Sequence, residues 1–237
     1  MSMAHRDVRG VILYTSKKPE RLDQKRGFEH FHFTRHGDGK VTLRAHCTIE
    51  EPAPTVMRDI IYSMDERKKP MDCHVRLTVG DKFMGSGWFR FTDEMLECES
   101  YGPSIGRLSQ RMPLREPIEG FGTHPVVADG YLLSLYDWSK VKEQKMHVYV
   151  PSPDHRGATP PMIAEARMLL RFVGEERVTV TAGTFKTRHF QFTDPGGGMG
   201  DHPAYDVWIT DDEDAIMVQG GVGGYMKTWY ELVELER

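Results

Sequence analysis

From Phe28 to Ile49 the chain reads FEHFHFTRHGDGKVTLRAHCTI, with apolar residues at every second position on both sides of Gly37-Asp38-Gly39. A period of two is that of a β-strand, and a three-residue loop ending in glycine suits a type I turn closed by a left-handed residue. That loop sets His36 opposite Lys40. Counting outward, Phe33 faces Leu43, Phe31 faces Ala45, His32 lies beside Arg44 and His30 beside His46. A two-residue loop would put Phe31 opposite Arg44 and mix the faces, so the three-residue register is adopted. One face of the hairpin is then Phe31, Phe33, Val41, Leu43, Ala45, Cys47 and Ile49. The other carries His30, His32, Arg44 and His46.

The same alternation recurs along the chain. Arg58 to Met64 reads as a strand, 65 to 70 as a charged turn, and Met71 to Val79 as a strand whose apolar face is Cys73, Val75, Leu77 and Val79. Its polar face, Asp72, His74, Arg76 and Thr78, repeats the chemistry of the hairpin. Gly80-Asp81 marks a turn, and Gly85 to Phe91 and Met95 to Tyr101 are further strands. The N-terminal segment to about Arg26 is polar apart from Val11 to Tyr14 and is expected to wrap or cap the body. Residues 102 to 161 are too rich in proline and glycine for a regular sheet, and their one helix is expected over Gly130 to Trp138, with Asp129 as N-cap. This long irregular segment is expected to cover one opening of the fold. Strands resume with the stretch from Ile163 to Gly174, whose composition also allows a helix. Others are expected over Arg177 to Phe192, Ala204 to Thr210 and Thr228 to Leu235. Glycine-rich loops are expected at 196–198 and 220–224.

Asp59 to Glu66 is echoed by Asp206 to Glu213, each an apolar strand running into a charged turn, which duplication and chance explain equally well. The expected fold is all-β: an antiparallel closed barrel or curled double sheet with few short helices. A single domain over 1–237 is expected, readable as related halves 27–101 and 162–237 around the irregular segment 102–161.

Composition narrows the class without naming a function. A net charge of -4, with no basic stripe, disfavours nucleic acid as a partner. No apolar run is long enough to span a bilayer as a helix. The N-terminus lacks the pattern of a secretory signal, and the three cysteines, Cys47, Cys73 and Cys98, include no CxxC pair. The expected compartment is therefore the reducing cytoplasm, with the thiols as small buried hydrophobes.

The polar face could carry chemistry if it lines a site. In that case Arg44 or Arg76 would anchor an anionic group, and one of His30, His32, His74 or His124 would move a proton. Trp88 or Tyr101 would stack on a ring, and His46 and Asp129 would complete the binding set. His124 precedes a proline, which favours extended backbone there, and stands in a loop suited to aiming an imidazole into a barrel mouth. If the same face points to water, those residues are only a surface with cross-strand ion pairs, and alternation leaves both readings open. A metal is not expected. His30-x-His32 with His46, completed by His36 or His74, resembles the His-x-His of cupins, but Arg35 and His36 stand where the cupin glutamate belongs. Arg44 beside His32 would also repel a cation. Neither glycine cluster has P-loop or dinucleotide context, and there is no GxSxG elbow.

Ala182-Gly183-Thr184-Phe185-Lys186-Thr187, then Val207-Trp208-Ile209 and Tyr230-Glu231-Leu232, resembles an uncharacterised bacterial family of antiparallel β proteins with an AGTF turn before a VWI strand. The resemblance covers about the last third of the chain and implies a curled sheet or barrel without an agreed chemistry. Members are often exported. More loosely, the architecture is similar to calycin (lipocalin-like) barrels. Taken together, the expectation is a barrel that binds a small aromatic or hydrophobic molecule, with cofactor-independent lyase or isomerase chemistry. The alternatives are a non-catalytic binding module and a structural protein. Expected partners are that small molecule and, at most, further copies of the chain.

Overall fold

The computed structural model describes residues 5–116, 118–140, 143–154, 156–193 and 202–237. Its strands are β1 (Arg6–Ser16), β2 (Lys25–Arg35), β3 (Val41–Ile49), β4 (Val56–Met64), β5 (Pro70–Val79), β6 (Lys82–Phe91), β7 (Met95–Gly102) and β8 (Gly106–Pro113). After a loop and one short helix, α1 (Asp129–Ser134), come β9 (Glu143–Val150), β10 (Ala164–Val180), β11 (Gly183–Thr193), β12 (Tyr205–Thr210), β13 (Met217–Val222) and β14 (Thr228–Glu236). All fourteen form one antiparallel sheet in the order β8 to β1, then β14 to β9. The chain thus runs outward in two meanders, and its first and last strands pair at the middle.

The expected hairpin register is the observed one: His30 pairs with His46, Phe31 with Ala45, His32 with Arg44 and Phe33 with Leu43. Gly39 sits at φ 89°, and the His36 and Lys40 backbones close the turn at 2.8 Å. The left-handed position is what a glycine there permits without strain.

The sheet is curled and open. Among the described residues no ladder joins β8 to β9; instead the loop around Phe121 runs along the free edge of β9, with Gly122 N donating to Tyr149 O at 2.9 Å. At the same seam Gln110 of β8 accepts from Ile163 N at 2.9 Å. Covering a bare edge in this way satisfies backbone groups that would otherwise invite pairing with another chain.

The segment after β8 does not lie over an opening. It enters the concave side and becomes the core that the sheet wraps. Phe121 packs between Phe89 and Phe91 at ring separations of 5.3 and 4.9 Å, Tyr131 on Phe33 at 5.0 Å and Tyr136 on Phe190 at 5.4 Å. The short helix is apolar nearly all round because sheet surrounds it, as expected of a helix with no solvent face.

Other differences have equally local causes. β1 is a central strand, not a cap, since its inward Val8, Ile12 and Tyr14 are buried between β2 and β14. β8 and β9 form inside the stretch read as irregular. Gly220 and Gly221 belong to β13, so only 223–224 of that cluster lies in the following turn. The 196–198 cluster lies outside the described residues. The N-cap of α1 is Ala128, and Asp129 is the first residue of the helix.

Candidate functional site

Because the inner positions of the curled sheet are filled by Phe31, Phe33, Leu43, Ile60, Tyr62, Val75 and Phe89, the alternate positions face water on the outside. That decides where the polar face points. His30, Arg44, His74 and Arg76 are exposed, His32 and His46 are partly covered, and Trp88 and Tyr101 are 42% and 56% exposed. They make surface contacts. His32 Nε2 lies 2.7 Å from Asp7, His46 Nδ1 2.7 Å from Asp59, and His74 Nε2 3.1 Å from Ser86. Arg44 donates to Thr34, and the Arg76 guanidinium lies over Phe83. On the convex side these residues cannot line an internal site. The expectation that they form one is corrected by the direction of curl.

The cavity is on the other face. It measures about 190 Å³ and lies between the inserted loop, the inner ends of β1 to β4, and strands β9 to β14. Ile49, Leu132, Val150, Met168, Phe192 and Val222 supply its apolar wall. Of the expected site residues, His124 and Asp129 line it. His124 adopts φ 72°, not the extended backbone expected before Pro125, so this non-glycine residue holds an uncommon conformation at the wall.

What places that loop is a carboxylate that the face assignment should have flagged. Glu29 alternates with Phe31 and therefore points inward, opposite Cys47, with no exposed surface. Tyr14 Oη donates to its Oε2 at 2.6 Å, Val126 N to the same oxygen at 2.8 Å, and Val127 N to Oε1 at 3.0 Å. The two backbone donors open the short 3-10 turn Val126–Ala128 that leads into α1. Glu29 thus caps the inserted segment from across the core, satisfying groups that a helical start leaves unpaired. Burial pushes its carboxyl up to about 7, against the pull of the three donors.

A second carboxyl stands at the cavity wall. Tyr205 Oη donates to Asp129 Oδ2 at 3.1 Å, and desolvation pushes this acid up to about 8. Three tyrosines connect the two acids: Tyr14 meets Tyr230 edge to face at 4.9 Å, and Tyr230 meets Tyr205 at 5.9 Å. All three phenols are pushed upward by burial, so they are neutral donors at neutral pH.

Cations gather at the remaining wall. Arg58, alternating with Ile60, points inward beside Cys47 and is 1% exposed. Its Nη2 donates to the carbonyls of Arg156 and Gly157 at 2.6 and 2.7 Å. Arg26 is the extra residue of a bulge between the Tyr14–Gly27 and Thr15–Lys25 pairs, which turns it inward where strict alternation would not. It bonds Met226 O and Thr228, and its Nε lies 2.7 Å from Glu51. Among the described residues no cluster of histidine, cysteine or acidic side chains is arranged to hold a metal ion.

No protein-family model matches the chain. No curated protein matches it either. Among solved structures, it is similar over 98% of its length to a β-barrel-like protein of the domain of unknown function DUF1849 from Brucella abortus. That likeness has 12% identity, covers 96% of the other chain and has a TM-score of 0.57. A "putative exported protein with YmcC-like fold" from Bacteroides fragilis aligns at 8% identity and TM-score 0.33, covering 98% of this chain and 95% of that one. A "putative lipoprotein" from Parabacteroides distasonis aligns at 10% and 0.35, covering 100% and 97%.

The expected cytoplasmic placement is withdrawn. Reduced cysteines do not place the chain in a reducing compartment. All three thiols are buried, and burial pushes Cys47 up to about 11, Cys98 up to about 12 and Cys73 upward as well. Such thiols are inert whatever the redox poise around them. By fold, the chain is similar to uncharacterised β-barrel-like proteins, and that likeness carries no ligand or reaction with it.

Proposed function

We propose that the concave face binds a small, largely apolar molecule of about one ring. The observation that carries this reading is the partly open cavity of about 190 Å³, with an apolar wall and a few converging polar groups. An apolar cavity of about 150 Å³ accommodates benzene, so this one suits a ring with a small substituent, or roughly ten non-hydrogen atoms. Asp129, Tyr205 and Tyr230 would orient the occupant from one wall. Proton transfer to or from it would use Asp129, whose carboxyl is held protonated near neutrality by burial, with His124 as the second group.

The test is titration of toluene and benzyl alcohol, followed by methyl NMR shifts at Leu132, Val222 and Met226. Saturable shifts in the wild type, lost in Val222→Phe, support the reading. Absence of shifts, or equal shifts in Val222→Phe, would sink it. Asp129→Asn separates binder from enzyme, since it should weaken binding only modestly, Tyr205 and Tyr230 remaining, and lose any turnover.

A further inference from the structure

We infer that Arg58 and Arg156 form an anion-recognising subsite in this cavity, so that its ligand is a small monocarboxylate with an apolar body. The inference rests on the binding role proposed above and specifies the ligand's polar end.

Arg58 is a fully buried cation for which the described residues provide no ion pair. Its Nη2 is satisfied by two carbonyls, but among the described residues Nη1 has only the Cys47 sulfur at 3.5 Å. A thiol pushed up by burial is a weak, neutral acceptor for a guanidinium. Arg156, whose carbonyl is one of those partners, also lines the cavity. Its Nη2 donates to Pro52 O and Pro54 O, while its Nε is buried without a hydrogen-bond partner among the described residues. Two arginines that touch each other, both at the wall and both with an unused or poorly used donor, are costly unless an acceptor arrives.

The local backbone is built to allow this. Gly157 has φ 58°, and a Cβ there would stand 2.1 Å from Arg58 Nη2 and 2.8 Å from His124 Cδ2. Only a residue without a side chain lets the guanidinium and the imidazole close on the same point of the chain. The other cations are already engaged. Arg26 is neutralised by Glu51, and Arg167 sits exposed at the rim, 4.0 Å from Glu165. A planar carboxylate matches the fork of a guanidinium, and the neutral Asp129 does not oppose it.

The experiment compares matched probes, benzoate against benzamide and hexanoate against hexanol, by calorimetric titration of the full chain. A preference for the carboxylate of roughly tenfold to a hundredfold is expected in at least one pair. Arg156→Lys should lose most of it while still binding the neutral partner, and Arg58→Lys should do the same if it folds. Equal binding within both pairs overturns the anion subsite and leaves the cavity reading standing. No binding of any probe overturns both. A carboxylate preference undiminished in Arg156→Lys removes Arg156 from the subsite and overturns the assignment.

Discussion

Replacing Glu29 by glutamine tests the reasoning about the core most directly. The wild-type carboxyl rises from its ordinary 4.5 to about 7 on folding, so the folded chain holds the proton more tightly than the unfolded one. Its contribution is therefore fully present below about 4.5 and is lost as pH rises through about 7. At ~1.4 kcal/mol per unit, the whole loss is roughly 3 kcal/mol, of which about 2 to 3 kcal/mol falls between pH 5 and pH 9. Glutamine keeps the shape but must turn an amide toward either Tyr14 and Val126 or Val127, leaving donors opposed. That costs roughly 1 to 3 kcal/mol at all pH values. Urea unfolding of both proteins at intervals from pH 5 to pH 9 should show the variant clearly less stable at the acid end and close to wild type at the alkaline end. Asp129 titrates in both proteins and cancels to first order in the difference. A constant difference would mean that the three donors balance burial, and one that widens as pH rises that they outweigh it; either would refute the argument.

Other outcomes follow from placement alone. His30→Ala and His74→Ala, on the outer face, should leave both ligand affinity and unfolding free energy within about 0.5 kcal/mol of wild type, checked by titration and urea melts. In Gly221→Val a Cβ would meet the Trp229 ring at 2.7 Å, so a loss of roughly 1 to 3 kcal/mol is expected in the same melts. The three thiols should be silent toward an aromatic disulfide reagent in the native protein and react together on unfolding; rapid labelling of Cys47 in the native state would contradict its burial.

Much of the architecture is legible in the chain by itself. Strand after strand alternates cleanly, and the glycine of the Gly37-Asp38-Gly39 turn sets the cross-strand partners of β2 and β3. The strands that escape notice are those whose environment is unusual. β13 holds two glycines because Met217 and the Asp206 carbonyl crowd Gly220 while Trp229 occupies the space above Gly221, and β8 is an edge strand with little apolar signal. Glu29 and Arg58 were legible in principle, since alternation from Phe31 and from Ile60 puts each charge on an apolar face. Arg26 was not, because a bulge breaks the count.

What the sequence determines alone is local: period, turn type, register, and therefore which residues share a face. It does not say which face is inside when each is coherent, because both faces of a strand obey the same period. The curl of the whole sheet decides that, by closing the apolar face around Phe121, Tyr131 and Tyr136 and leaving the histidines to water. The same closure brings Glu29 to Val126, Asp129 to Tyr205 and Arg58 to Gly157, contacts spanning 97, 76 and 99 positions that no local pattern encodes.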